Sequence, residues 1–323
     1  MRAEIVQQPA VKDERWTHGL LAAQNLDGGW GYREGQDSAI EPTSWALLAI
    51  SEMGREHSLD REKRAGASFL GRNQLSNGSW PTVPKDRAGS WVTSLACLAL
   101  QGLGGWAPQV DAGLHWLARN WPGEGGFWWC LRHRLFGQPQ LVVQDHRLRG
   151  WGWTSGTSSW VEPTAYALLA LRAARGSTSF LARVDHRCRL AQAMLCNRMC
   201  AGGGWNCGNP VVYGAAGHPL LSSTCWALLS LGEFMDQADV RRCVTESLDW
   251  LERSYSQSPG PGSLALGALC LKAFRRAPPT VGPALSELYE RNRFLGQVPV
   301  LAWASLAVQS VPRWLRPAIP AST

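Results

Sequence analysis

No stretch of this chain is long and apolar enough to span a bilayer, which takes about 18 to 20 uncharged residues, so no membrane-crossing helix is expected. No leader is expected either: residues 1–15 mix charges of both signs around no apolar centre and read as a frayed lead-in. Cysteine is present but without a framework. The nine thiols, an odd number scattered from Cys97 to Cys270, predict free cysteines in a reducing compartment, the cytoplasm. Charged side chains make up only 18% of the chain, against about 25% in an average globular protein. The balance is basic, +7, with a local concentration at Arg132, His133, Arg134, Arg147 and Arg149. No helix-turn-helix, zinc-finger or RNA-binding signature accompanies that charge, which argues against nucleic acid. A pyrophosphate-bearing ligand, peripheral contact with an anionic membrane and a plain solvated face each account for it.

Two further signatures fall short. Cys196, Cys200, Cys207 and His218 have the chemistry of zinc ligands, but their spacing fits no common zinc module. Gly202, Gly203, Gly204 and Gly208 lack the preceding strand and following Lys of a phosphate loop. No metal and no cofactor is expected.

What the chain has in excess is tryptophan, 18 residues. Trp buries a large area yet keeps one N–H donor, so a surplus points to interlocked loops, an aromatic cavity, or both. The tryptophans fall in a repeat. A Gly-rich loop carrying Trp30, Trp80, Trp151 or Trp205 leads each time into an apolar segment with Thr43, Thr93, Thr164 or Thr224 near its start. Fifty residues separate Trp30 from Trp80, and fifty separate Thr43 from Thr93. Before each loop lies an amphipathic stretch, such as Trp16 to Asn25 or Ser68 to Gln74, whose apolar residues have helical spacing. After it, Glu41-Pro42-Thr43 and Glu162-Pro163-Thr164 open runs of Ala and Leu too uniformly apolar for an exposed helix. Inner helices are predicted over 42–52, 92–102, 163–174 and 223–234. Two degenerate copies follow, around 247–271 and 285–308, and the third copy carries an insertion from Cys130 to Arg149.

Six helical hairpins make twelve helices. Closing them into a ring removes the exposed ends that an open array must cap. The expected fold is all-α, a double-layered α/α toroid over 16–311, with a Pro-rich tail, 312–323, that docks or frays.

Gln24-x-x-x-Gly28-x-Trp30 and Phe69-Leu70-x-x-x-Gln74-x-x-x-Gly78-x-Trp80 match the Gln–Trp repeat of squalene cyclases and related triterpene cyclases. The chain resembles one toroid of the terpenoid cyclase and protein prenyltransferase superfamily, nearest the squalene cyclase C-terminal domain, over about residues 16–310. The resemblance implies a structural repeat in which Gln caps outer-helix ends and Trp packs between repeats. It also implies an isoprenoid or other apolar small molecule as ligand. Class II terpene cyclases protonate an alkene or epoxide with the middle Asp of Asp-x-Asp-Asp. Glu162 falls at that position, with Trp160 and Pro163 where the other carboxylates would stand. Prenyltransferase β subunits hold zinc through Asp, Cys and a His at a His-Thr-Cys-like helix start, and this chain reads Ser223-Thr224-Cys225 there.

The candidate acid is therefore Glu162, with Glu41 second. Burial among aromatic rings would keep such a carboxyl protonated, and π faces would stabilise the cation it creates. Because both Glu sit at predicted helix starts, binding the free N–H groups there is the alternative role. Asp145 and His146, in the insertion, form a further candidate acid–base pair or a surface pair. The cavity lining is expected from Trp45, Trp91, Trp151, Trp153, Trp160, Tyr166, Trp205 and Trp226. An isoprenoid cyclase or isomerase, a non-catalytic toroid binding a lipid or a protein, and a prenyltransferase β-like subunit all remain open. The sequence does not set the oligomeric state.

Overall fold

The computed structural model describes residues 14–53, 59–126, 131, 135, 144–173, 181–255, 257, 260–276 and 281–318. Twelve α-helices lie among them: α1 Glu14–Ala22, α2 Ile40–Glu52, α3 Asp60–Arg72, α4 Val92–Gln101, α5 Ala107–Arg119, α6 Val161–Ala173, α7 Leu181–Asn197, α8 Leu221–Leu231, α9 Ala238–Tyr255, α10 Pro261–Ala273, α11 Val281–Asn292 and α12 Val298–Val308. One two-residue hairpin, β1 Val211–Val212 and β2 Ala215–Ala216, is the only sheet among them. No helix of the described residues is long and apolar enough to cross a membrane.

The even-numbered helices pack side by side in chain order, and α12 packs in turn on α2, so the ring is closed. The odd-numbered helices form the outer layer. Among them α3 bridges α2 and α4, α5 bridges α4 and α6, α9 bridges α8 and α10, and α11 bridges α10 and α12. The division follows composition. In α2 every residue from Pro42 to Ile50 is buried, as in a helix surrounded on all sides. Outer helix α9 instead buries Val240, Cys243, Val244, Ser247, Leu248 and Leu251, one stripe at three- and four-residue steps. This is the double-layered α/α toroid that the repeats predict.

Helix bounds differ slightly from the sequence reading. Helices α2 and α6 begin two residues ahead of Pro42 and Pro163, which still lie in the first turn, where a missing N–H costs no internal bond. Helix α8 stops at Leu231 and tightens into a 3-10 turn, Gly232–Phe234. Most of the Cys130–Arg149 insertion lies outside the described residues. The tail forms a 3-10 turn, Arg313–Leu315, that buries Leu315 and packs on α6, where Arg172 donates to the Arg316 carbonyl.

Each Gly-rich loop is clamped the same way. The backbone N–H groups of Trp30, Trp80, Trp151 and Trp205 each donate to a threonine hydroxyl of the following inner helix, Thr43, Thr93, Thr164 and Thr224, all at 2.9 Å. Their indole N–H groups turn outward to outer-helix carbonyls: Trp30 to Leu20, Trp80 to Leu70 and Trp205 to Leu195 at 2.7 Å, and Trp151 to Leu117 at 2.9 Å. The Gln24 amide spans from Gly28 to the Glu62 carbonyl in α3, and Gln74 spans from Gly78 to Gln109 in α5. Gly28 and Gly78 have φ of +85° and +90°, and a Cβ at either would lie within 2.6 Å of a carbonyl of the next outer helix. Only glycine fits there.

The inner helices have no polar cap of their own: no side-chain cap bond closes α2, α4, α8, α10 or α12. At α2, α4, α6 and α12 a neighbour's loop supplies an acceptor. The Thr82 carbonyl takes the Ile40 N–H (3.2 Å), Trp153 takes Trp91 (3.1 Å), Cys207 takes Val161 (3.0 Å) and Tyr32 takes Val298 (3.0 Å). Each accepting carbonyl lies two residues past a loop Trp. The second, third and fourth loops therefore close the inner helices that precede them, and the first loop closes the last helix.

Candidate active site

The threonines give the inner helices a common register, and two layers of side chains follow from it. Two residues before the threonine stand Glu41, Trp91, Glu162 and Ser222. Two residues after it stand Trp45, Leu95, Tyr166 and Trp226, and Trp303 is the sixth residue of α12 as Trp45 is of α2. The layers are four residues apart, so they share one helix face.

The second layer meets across the lumen. Trp45 stacks on Trp226 with ring centroids 5.0 Å apart, although α2 and α8 are not neighbours in the ring. Tyr166 meets Trp45 at 5.9 Å and Trp226 at 5.2 Å, edge to face, and Trp303 meets Trp45 at 5.7 Å and Trp226 at 6.3 Å. Trp45 and Trp226 are 0% and 1% exposed. This is an aromatic floor. Above it, half-buried Trp91 stacks on Tyr166 at 5.4 Å and takes the edge of Trp153 at 5.0 Å, forming one wall.

The two carboxylates sit at this mouth, half-buried in the first turns of α2 and α6. Glu41 accepts the Tyr32 hydroxyl at 2.5 Å, and Glu162 accepts the Ser223 hydroxyl at 3.1 Å. Burial pushes both carboxyl groups above their ordinary range. The Tyr32 hydroxyl and the Trp45 indole pull Glu41 back, although the indole N–H makes no hydrogen bond of good geometry, and the charge on Glu162 lifts it further. Glu162 is drawn back down by Ser223 and Ser222. The Tyr166 hydroxyl is held neutral by burial and by both acids. Among the described residues neither carboxylate makes an ion pair. Two carboxyl groups raised by burial thus stand in one aromatic mouth.

The other sequence candidates are placed elsewhere. Trp151 and Trp205 are clamp residues, 2% and 0% exposed, with their indoles bonded into the outer layer. Trp160 is half-buried, and its N–H pairs with the Trp151 carbonyl at 2.9 Å. The backbone N–H of Asp145 donates to Asn197, at the end of α7, and its carboxylate accepts the Arg147 N–H. His146 faces a different acid, Glu124, with Nδ1 3.8 Å from Oε2. Glu124 is 3% exposed, takes the Ser159 N–H at 2.9 Å and pairs with the equally buried Arg198 at 3.0 Å. Sequence reasoning missed Glu124, Trp303, Tyr32 and the two serine hydroxyls. Only Trp303 left a signal, its register in the degenerate sixth copy. Among the described residues no three His, Cys, Asp or Glu side chains converge as metal ligands.

No protein-family model matches this sequence, and no curated protein matches it. Solved structures do match. The chain is similar to the type II terpene cyclase MstE from Scytonema in its apo form, at 15% identity and a TM-score of 0.58, over 91% of this chain and 95% of that one. A variant of the same cyclase with geranylgeranyl dihydroxybenzoate as substrate matches at 14% identity and a TM-score of 0.57, over 91% and 94%. A family 76 glycoside hydrolase from a bovine Bacteroides thetaiotaomicron strain matches at 10% and a TM-score of 0.61, over 91% and 77%. The fold is terpenoid cyclase-like.

Proposed function

We propose that this protein binds a polyisoprenoid in the mouth of its ring and protonates one of its alkenes, with Glu41 as the acid and Glu162 as its charged companion. One observation carries the reading: two carboxylates, each met by a hydroxyl and, among the described residues, neither by a cation, stand one helical turn above a floor of touching aromatic rings. Burial raises both carboxyl groups, the charge on Glu162 adds to it at Glu41, and the Tyr32 hydroxyl and Trp45 indole at Glu41 and two serine hydroxyls at Glu162 oppose it. In the reaction the Glu41 proton adds to an alkene carbon, the π electrons form the new C–H bond, and the cation left on the neighbouring carbon is faced by half-buried Trp91 and Trp153, with Tyr166 stacked behind Trp91. Further alkenes of the chain attack that cation. The last cation loses a proton to Glu162, and exchange with solvent restores Glu41, so the product is an isomer of the substrate. The likeness to a cyclase crystallised with geranylgeranyl dihydroxybenzoate supports a chain of that kind.

A second reading rests on the contact among the floor rings, which closes the lumen beneath the mouth. It is lipid binding without turnover.

The test is incubation of the purified protein with geranylgeranyl dihydroxybenzoate, squalene and geranylgeranyl diphosphate in heavy water, followed by mass analysis. The expected product is an isomer carrying deuterium, with turnover reduced at least about 100-fold in Glu41→Gln. Bound substrate with no product establishes the second reading, and turnover unchanged in both Glu41→Gln and Glu162→Gln removes the proposed acids.

A further inference from the structure

Cysteines that form no motif in the sequence are brought together in the fold as two pairs. Cys225 in α8 and Cys270 in α10 are fully buried, with the Cys270 thiol turned to the Cys225 carbonyl at 3.8 Å. The other pair, Cys196 and Cys243, lies in the outer layer, where α7 packs on α9. Contacts on either side fix how these two face each other. One turn before Cys196, the buried Gln192 accepts from Gln237, just ahead of α9, at 3.1 Å. Three residues after Cys196, the Met199 sulfur accepts from Ser247, one turn past Cys243, at 3.4 Å. Cys196 and Cys243 stand between these rungs on the same two helix faces, and their thiols share a hydrogen bond.

The pairs differ in charge and in access. Burial holds the Cys270 thiol protonated. The Cys196 hydrogen bond and the Arg242 charge instead pull the Cys243 thiol below its ordinary value, against burial, Glu246 and Asp239. A thiolate steadied by a second thiol and a cation is the reactive form of cysteine. Half-buried Cys196 gives the pair an edge on solvent.

We propose that Cys196 and Cys243 form a reversible redox site, which a peroxide converts to a disulfide stapling α7 to α9. The Cys243 thiolate attacks one peroxide oxygen, the O–O bond breaks, and a sulfenic acid and a hydroxide result. The Cys196 sulfur then attacks the Cys243 sulfur, the S–S bond forms, and the S–O bond breaks, its oxygen leaving as water with the Cys196 proton. The proton that Cys243 gave up on ionising neutralises the hydroxide, so two thiols and one peroxide yield one disulfide and two waters. The chain enclosed between the two cysteines carries Trp205, Ser223 and Trp226, so the staple restrains the sector that clamps the fourth loop, bonds Glu162 and builds part of the floor.

The experiment treats the reduced full chain with hydrogen peroxide, caps the remaining thiols with iodoacetamide, and reads the intact mass and the peptide map. The expected result is one disulfide per chain, recovered as a Cys196–Cys243 linked peptide and removed by dithiothreitol, with a thermal midpoint about 5 °C higher in the oxidised form. Cys207→Ser, at an exposed thiol, should keep the bond, and Cys196→Ser should lose it and leave an oxygen added at Cys243. The natural chain alone is decisive: no disulfide, or a link between other cysteines, overturns the proposal, as does a disulfide that survives in Cys196→Ser. None of these readouts depends on turnover at the mouth.

Discussion

Glu124 and the pair Glu41 and Glu162 are acids taken out of water in two parts of one molecule, and their surroundings differ in kind. At the connection between α5 and α6, Glu124 is answered by the Arg198 guanidinium at 3.0 Å and by the Ser159 N–H. Burial lowers the proton affinity of Arg198, and the charge on Glu124 opposes that loss. Both members are spoken for. At the mouth, among the described residues, Glu41 meets the Tyr32 hydroxyl, the Trp45 indole and the charge on Glu162, Glu162 meets serine hydroxyls, and both are raised. A carboxylate with a full counter-charge builds structure, and one without it keeps a proton in reserve.

That contrast can be broken at its stronger end first. Glu124→Gln leaves the buried Arg198 charge without its partner and should cost about 3 to 5 kcal/mol in urea unfolding, with part recovered by adding Arg198→Met. A loss no larger than that of an exposed Glu would erase the distinction. The next largest effect concerns the tryptophans, which divide in the same way. Thr224→Val removes the acceptor of the buried Trp205 N–H and should cost about 1 to 3 kcal/mol of stability, measured by the same unfolding curves.

The smallest effect sharpens the mouth itself. The unfolded chain releases the Glu41 and Glu162 protons near the ordinary carboxylate value of 4.5, while the folded protein holds them to higher pH. In that interval the native state binds more protons, so stability falls as pH rises from 4.5 toward the raised values and levels off beyond them. Thermal midpoints recorded across that range should show the fall in the natural protein and a flatter profile in Glu41→Gln/Glu162→Gln. Identical profiles would mean that the mouth acids feel no more burial than surface ones.

The ring was legible because its parts are local. A loop Trp, ten residues from an outer-helix carbonyl and thirteen from its threonine in the first two copies, can be read in one pass. The site was legible in part. Trp45, Trp91, Tyr166 and Trp226 come together with the two Glu, while Trp151 and Trp205, equally conspicuous in sequence, are clamps. What separates the two groups is register: Trp45, Trp91, Tyr166 and Trp226 stand within two residues of the threonine, whereas the clamp rings Trp151 and Trp205 stand thirteen and nineteen residues before it. The Glu124–Arg198 pair joins residues 74 apart with no motif between them, and nothing in the local pattern announces it. The loop carbonyls that close neighbouring helices were invisible for a simpler reason. Backbone groups have no letter in a sequence.

The carbonyl of Tyr32, which holds the start of α12, makes the opening and closing portions of the chain mutual guarantors. A linear stack of hairpins can shed its terminal unit and keep the remainder. Here every unit has two flanks to lose, so removing any one strips a partner from both sides, and the molecule stands or melts as a single cooperative body.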